Sequence, residues 1–271
     1  MRAAGHHAVG LGLHSTEPTT HPALSRIIDH ARTLGFSDIT VSSSGLKLAD
    51  RPYVAELRSA GLTGVILSFV AVDEPLSDLL LGRPGATAAK LRAWTNCLEV
   101  GLHGVALIML LRPTLRLIPE AALRLTRMAA GAEDRALVHG MVMDPVPGTP
   151  QARVDLLWPK LVELAWTLAR TRAVVPGFVA QSSMLPACME THVPGIETSQ
   201  RSAGAAAQRP ATARPVWPCD RCTQNDCPGA TNQHGLLLLR RCEIATGQGD
   251  HNRIVATQND VHQHDFEKQN C

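Results

Sequence analysis

The stretch Val105-Ala106-Leu107-Ile108-Met109-Leu110-Leu111 is apolar at every position and lies between two amphipathic helical patterns, at about 86–100 and 118–130. A strand with one wet face alternates apolar and polar residues. One that is apolar throughout is covered on both faces, as in a parallel sheet flanked by helices. Working outward, the same alternation of elements recurs. Strands are expected at 8–13, 38–42, 63–69, 104–111, 136–143 and 173–179. Helices are expected at 22–34, 52–60, 86–100, 118–130 and 154–170, the first opening near Pro22 and closing at Gly35. Strands of four to eight residues separated by longer helices imply βαβ units. About six parallel strands fit either a partial β/α barrel or a doubly wound sheet, and periodicity does not separate the two. In both, ligands sit at the C-terminal ends of the strands.

Composition narrows the class. The chain has 271 residues, 26 Lys+Arg against 24 Asp+Glu, and 3% aromatic residues with one tyrosine. So balanced a charge gives no electrostatic case for nucleic acid or an anionic membrane surface. Sparse aromatics leave no stacking platform for single strands. No apolar run reaches the ~18 residues of a membrane helix, and residues 1–12 are too polar for a signal peptide. A soluble, cytoplasmic protein is expected, with no nucleic acid and no membrane among its partners. Phosphate loops of the G-x-x-x-x-G-K-[ST] or G-x-G-x-x-G type and a G-x-S-x-G elbow are absent.

Seven cysteines, at 97, 188, 219, 222, 227, 242 and 271, are too clustered and odd in number for a secreted disulfide framework. Cys219, Cys222 and Cys227 stand as C-x2-C-x4-C. Two thiolates two residues apart can grip one metal from a single turn, with the third arriving from the following loop. Iron–sulfur clusters and structural zinc both use such geometry. Cys188 is the preferred fourth ligand, with Cys242 and His234 as competitors. The expected organisation is a barrel-like domain at 1–195, a Ser/Ala/Arg/Pro-rich linker at 196–218, a cysteine-rich iron–sulfur or zinc segment at 219–245, and a polar, disordered tail at 246–271.

Polar residues also mark the strand ends. Thr16-Glu17-Pro18-Thr19 follows the first strand, Ser42-Ser43-Ser44-Gly45 the second, and Ser68 closes the third. Rim hydroxyls and a carboxylate there can bind a polar ligand. Each is ordinary alone: Thr19 or Thr20 can simply cap a helix, and Ser-Gly is a common turn. Arg112 and Asp144 end further strands as site residues or solvated ends, the latter favoured. The twelve histidines are scattered, and His262-x-His264 lies in the polar tail. An ordinary barrel enzyme using Glu17 as acid or base is a further reading, though no partner base or nucleophile accompanies it.

Taken in order, three stretches resemble radical S-adenosylmethionine (SAM) enzymes. Leu11-Gly12-Leu13-His14-Ser15-Thr16-Glu17-Pro18-Thr19-Thr20-His21-Pro22 is similar to the family's second-strand GGEP-type motif and the residues just after that motif. Ile39-Thr40-Val41-Ser42-Ser43-Ser44-Gly45 resembles the third strand and its loop. Ala60-Gly61-Leu62-Thr63-Gly64-Val65-Ile66-Leu67-Ser68 resembles the fourth. The resemblance spans roughly residues 8–180, and the cysteine segment looks like a SPASM-type extension. It implies a partial (β/α) barrel that binds SAM at its strand ends, where a [4Fe–4S] cluster reduces SAM to methionine and a 5′-deoxyadenosyl radical. By the same resemblance, Glu17, Pro18 and Thr19 lie at the methionyl amino group. Ser42 and Ser44 lie near the ribose, and Ser68 near the ribose or carboxylate. Cys188, Cys219, Cys222 and Cys227 resemble ligands of an auxiliary [4Fe–4S] cluster, with zinc as the alternative. The substrate is unknown, a peptide being the candidate class.

The family's C-x3-C-x2-C motif has no counterpart, because no two cysteines here are spaced C-x3-C. The expectation is a chain truncated at its N-terminus, lacking the first βα unit and inactive in SAM cleavage as written. An absent unit would leave an edge strand with unpaired backbone groups, a liability that favours truncation over adaptive loss. The rival from another class is a zinc- or cluster-stapled binding protein without SAM chemistry.

Overall fold

Each strand joins the one made before it. β1 (Gly10–Leu13) pairs in parallel with β2 (Asp38–Ser43), β2 with β3 (Gly64–Phe69), and β3 with β4 (His103–Met109). The structure is a computed structural model that describes residues 10–14, 16–142, 151–182 and 193–198. By internal contacts it divides into two units, residues 1–109 with 120–139, and residues 110–119 with 140–271.

The first unit holds β1 to β4, the helices α1 (Leu24–Thr33), α2 (Arg51–Ala60), α3 (Glu74–Leu81) and α4 (Ala86–Glu99), and most of α5 (Ile118–Met128). The second holds the end of β5 (Ala136–Val142), α6 (Gln151–Leu157), α7 (Leu161–Val174), and the short strands β6 (Ala180–Ser182) and β7 (Ile196–Thr198). There β5, β6 and β7 again pair in parallel and in chain order. A doubly wound sheet reverses its strand order at a switch point. Neither unit does, so the α/β fold has the strand order of a β/α-barrel wall. Seven strands are described, against about six expected.

Alternation along the strands sorts the rim residues by face. On β2, Ile39, Val41 and Ser43 are buried, while Thr40 and Ser42 are half-buried on the other face; on β3, Val65, Leu67 and Phe69 are buried, and Ile66 and Ser68 half-buried. The Leu67–Phe69 face lies against α4. A side chain at Gly45 would touch Ala93 of α4 and Leu67, and Gly45 itself takes φ +86 in the turn after β2. Glycine suits that position twice over, by backbone and by space. Gly104 is a second tight point: its Cβ would come within 2.6 Å of the Trp94 ring. Trp94 is fully buried and donates its indole N–H to the carbonyl of Leu125 at 3.1 Å. Each large apolar side chain buried in this way, such as Ile28, Leu57 or Ile108, contributes about 1.5–3 kcal/mol.

The structure departs from the expected elements in four places. The helix expected at 154–170 is two helices, broken at Trp158-Pro159-Lys160. Proline lacks an N–H and disfavours helical backbone in the residue before it. α7 then runs on to Val174, into the apolar run read as a strand at 173–179, and the strand is β6 at Ala180–Ser182. α3 was not anticipated, although Asp73 caps it by accepting the Leu76 N–H at 3.0 Å and Gly82 ends it in the left-handed region. Finally, Arg112 is no solvated strand end. It opens a 3-10 helix (Arg112–Leu117), and its guanidinium donates to Glu163 at 3.0 Å and to the Asp155 carbonyl at 2.8 Å. Asp144 lies outside the described residues. No helix among the described residues is long and apolar enough to cross a membrane.

Candidate functional site

Glu17 stands four residues past β1, as the N-cap of a 3-10 turn (Pro18–Thr20) whose first residue is proline. Pro18 fixes φ where a missing N–H costs nothing, which turns the chain at once and directs the Glu17 side chain toward the end of β2. Its Oε1 accepts from the Ser43 hydroxyl at 2.7 Å and the Thr19 hydroxyl at 2.6 Å. Its Oε2 accepts the Ser44 backbone N–H at 2.6 Å. The Ser43 oxygen in turn accepts the N–H of Gly45 at 2.9 Å. Burial pushes the Glu17 carboxyl upward, but the hydrogen bonds from Ser43, Ser44 and Thr19 outweigh it and hold the group below its ordinary value.

Across this cluster sits Lys90, on α4. Its side chain is 4% exposed, and its ammonium donates to the carbonyl of Ser68 at 2.6 Å and lies 5.8 Å from the centroid of the Phe69 ring. Three donors are available on an ammonium, and Ser68 takes one of them. Burial lowers the Lys90 pKa to about 8, and the nearby charge of Glu17 opposes that shift. A buried, partly paired lysine is a costly group, and strand C-terminal ends are where such a cost accompanies function.

Of the residues expected at the site, the structure joins Glu17, Pro18, Thr19 and Ser44 into one turn-to-turn clasp. It adds Ser43, whose hydroxyl donates to Glu17 and which was not among the expected site residues. Ser42 lies on the opposite, half-buried face of β2, and Ser68 meets Lys90 through its backbone carbonyl. Lys90 was missed. The signal was present: it occupies the buried stripe of α4, with Ala86, Thr87, Ala93, Trp94 and Cys97 at helical spacing around it, where a solvated lysine does not belong. A cleft of about 500 Å³ opens beside Glu17, lined by Gly12, Leu13, Thr16, Pro18, Leu24 and Ile27 among others, but Lys90 and Ser68 do not line it.

A curated protein of Methanocaldococcus jannaschii, 7,8-dihydro-6-hydroxymethylpterin dimethyltransferase, is 30% identical to this chain over 165 residues, 60% of this chain and 29% of that protein. Streptococcus suis SuiB bound to S-adenosylmethionine aligns at 14% identity, covering 70% of this chain and 39% of its own, with a TM-score of 0.46. A radical SAM methyltransferase from Sphaerobacter thermophilus aligns at 20% identity over 61% of this chain and 48% of its own, with a TM-score of 0.44. No protein-family model matches the chain. It spans less than a third of the length of the curated relative and less than half of each of these two structures.

The [4Fe–4S] cluster expected from the sequence resemblance needs thiolates, and the described residues do not supply them. Cys97, the described cysteine, is fully buried, and burial pushes its thiol up to about 12. The thiolate is the form that ligates iron, so Cys97 is unsuited. Among the described residues no group of three His, Cys, Asp or Glu could hold a metal ion. Cys188, Cys219, Cys222 and Cys227, with the competitors Cys242 and His234, lie outside the described residues.

Proposed function

We propose that this chain is a radical SAM-family protein whose first unit binds the methionyl head group of S-adenosylmethionine between Glu17 and Lys90. The observation that carries this reading is a clasped carboxylate just past β1 together with a buried lysine of α4 that reaches the end of β3 and feels the Glu17 charge. Glu17 is held charged by its hydroxyl and N–H donors, and Lys90 keeps two donors beyond its bond to Ser68 among the described residues. An α-amino acid presents an ammonium and a carboxylate from one carbon. The ammonium is suited to Glu17 and the carboxylate to Lys90, and each contact relieves a charge the fold has already desolvated. Ser42 and Ser68, on the half-buried face, are the candidates for hydroxyl contacts to the ribose, and Ser44 holds Glu17 in place through its backbone N–H.

SAM supplies, once reductively cleaved at a [4Fe–4S] cluster, a radical that removes hydrogen from a substrate. The residues of the first unit orient the head group and no more, and no step through a cluster is derived from them. With no C-x3-C-x2-C motif in the 271 residues, the chain as written binds SAM without cleaving it. Its radical chemistry on an unknown substrate, with a peptide as the candidate class, belongs to a form that holds the activating cluster. The test is calorimetric titration of the chain with SAM, followed by an anaerobic assay for 5′-deoxyadenosine after reconstitution with iron and sulfide. Saturable binding without deoxyadenosine is expected. Absence of binding overturns the site, and turnover overturns the inactivity.

The Cys219-x2-Cys222-x4-Cys227 spacing favours a second reading, a metal-stapled binding protein. Iron with sulfide on Cys188, Cys219, Cys222 and Cys227 fits an auxiliary cluster. One zinc, with no SAM binding, fits the rival. Metal and sulfide analysis of the protein as isolated separates them.

A further inference from the structure

The turn that presents Glu17 is tied to the sheet through the Glu17 side chain, at Ser43 and Ser44, and less by its own strand. β1 is four residues long, pairs only with β2 among the described residues, and ends at Leu13. Beside the turn's own backbone bonds, Thr20 N–H to the Glu17 carbonyl and His21 N–H to the Pro18 carbonyl at 3.0 Å each, hydroxyl groups hold it. Thr19 donates to Glu17 Oε1, and Thr20 donates to the Glu17 carbonyl at 2.7 Å. From outside the turn, Tyr53 of α2 donates its phenol to the carbonyl of Thr19 at 3.2 Å. Thr19 is 1% exposed, so its contacts are not readily replaced by water. Tyr53 is the chain's one tyrosine.

We propose that Tyr53 is a positioning residue for the head-group site: its hydroxyl, acting through Thr19, sets where the Glu17 carboxylate stands relative to a ligand ammonium. The inference rests on the SAM reading above. A charge-assisted bond to a ligand needs its acceptor held to within about half an ångström, and the hydroxyl of Tyr53 ties the turn to a helix where the four-residue strand alone would leave it loose. The electrostatics agree with this placement. Burial, then the charges of Glu56 and Glu17, raise the phenol above its ordinary value, so Tyr53 senses the carboxylate it is said to place.

The experiment uses the full chain and its Tyr53→Phe variant, titrated calorimetrically with SAM, with L-methionine and with adenosine. Phenylalanine keeps the ring and removes only the hydroxyl. Binding of SAM and methionine should weaken about three- to tenfold, and adenosine binding should stay unchanged. Equal losses for all three ligands would indicate general loosening and overturn the proposal, as would no loss at all. Wild-type chain that binds none of the three overturns the SAM reading and the inference with it. Wild-type chain that binds SAM while the variant matches it overturns the inference alone. A second readout needs no ligand. The single tyrosine can be titrated by ultraviolet absorbance, and Glu17→Gln should lower its midpoint; an unmoved midpoint also overturns the proposal.

Discussion

β2 carries a carboxylate–hydroxyl network at each end, and the two differ in what they leave unsatisfied. At its start, the exposed Asp38 accepts from the Thr63 hydroxyl at 2.8 Å and the Thr40 hydroxyl at 3.3 Å, and Thr63 accepts the Ile39 N–H at 2.8 Å. At its finish, the half-buried Glu17 accepts from Thr19, Ser43 and Ser44, with Lys90 desolvated beside it. The first network ties two strands together in contact with water. The second ties a turn to a strand and also sets a half-buried carboxylate near a buried ammonium that keeps donors to spare. A carboxylate clasped by hydroxyls is therefore ordinary stitching; the buried cation opposite is what marks a ligand site.

The sharpest way to break the comparison is Lys90→Met. Truncating one partner of a desolvated charge pair should weaken SAM binding about thirtyfold or more. The same change should stabilise the protein. Because burial lowers the Lys90 pKa from 10.5 to about 8, the unfolded chain binds the proton more readily than the folded one between those values. The wild type thus gains stability as pH rises from about 8 to 10.5, and at neutral pH it bears the cost of a buried charge. Thermal or chemical denaturation should show the variant more stable at neutral pH by an amount on the order of 2 kcal/mol, with that rise removed. SAM affinity of the wild type should fall above pH 8 as Lys90 loses its proton. The ligand's own amino group titrates nearby, at about 7.7–8.0, so the difference between wild type and variant isolates the lysine's share.

Glu17→Gln should act less strongly. An amide has a donor at one end, which must face either the Ser44 N–H or the two hydroxyls, so one good bond is lost. The expected cost is about 1–2 kcal/mol at neutral pH. Glu17 is held below its ordinary value when folded, so its contribution is present above the ordinary carboxylate range and lost as pH falls through the lowered value. Acid unfolding of the variant should accordingly be flatter in that window. The smallest effect is expected at the other end of the strand. Asp38→Asn should change stability by no more than about 0.5 kcal/mol and leave SAM binding untouched; a binding defect there would erase the distinction between the two networks.

How far these features could be read in advance varied with their physics. β3 and β4 announce themselves by apolar runs, and α4 by its stripe and the Gly101 that follows it. That Glu17, Pro18 and Ser44 follow strand ends could be read from the strand boundaries; their roles toward a ligand came only from the family resemblance. α7 was cut short because its buried stripe passes from Leu164 and Leu168 to Thr171, a polar residue that satisfies its hydroxyl by donating to the Thr167 carbonyl at 2.8 Å. An apolar count stops where the helix does not. α3 is short, and its signals are local caps rather than a period. Ser43 against Ser42 is a matter of which face the Glu17 side chain reaches, and that depends on the turn at Pro18, which no alternation rule contains.

The strand order carries a consequence for how the first unit is made. β1, β2, β3 and β4 become neighbours in the order of synthesis, so each βα unit can dock onto an edge already present as the nascent chain lengthens. None has to wait for a later segment to be threaded between two earlier ones. Every closure is local, which keeps the entropic cost of each step small, and the edge that grows is covered by the next unit as it forms.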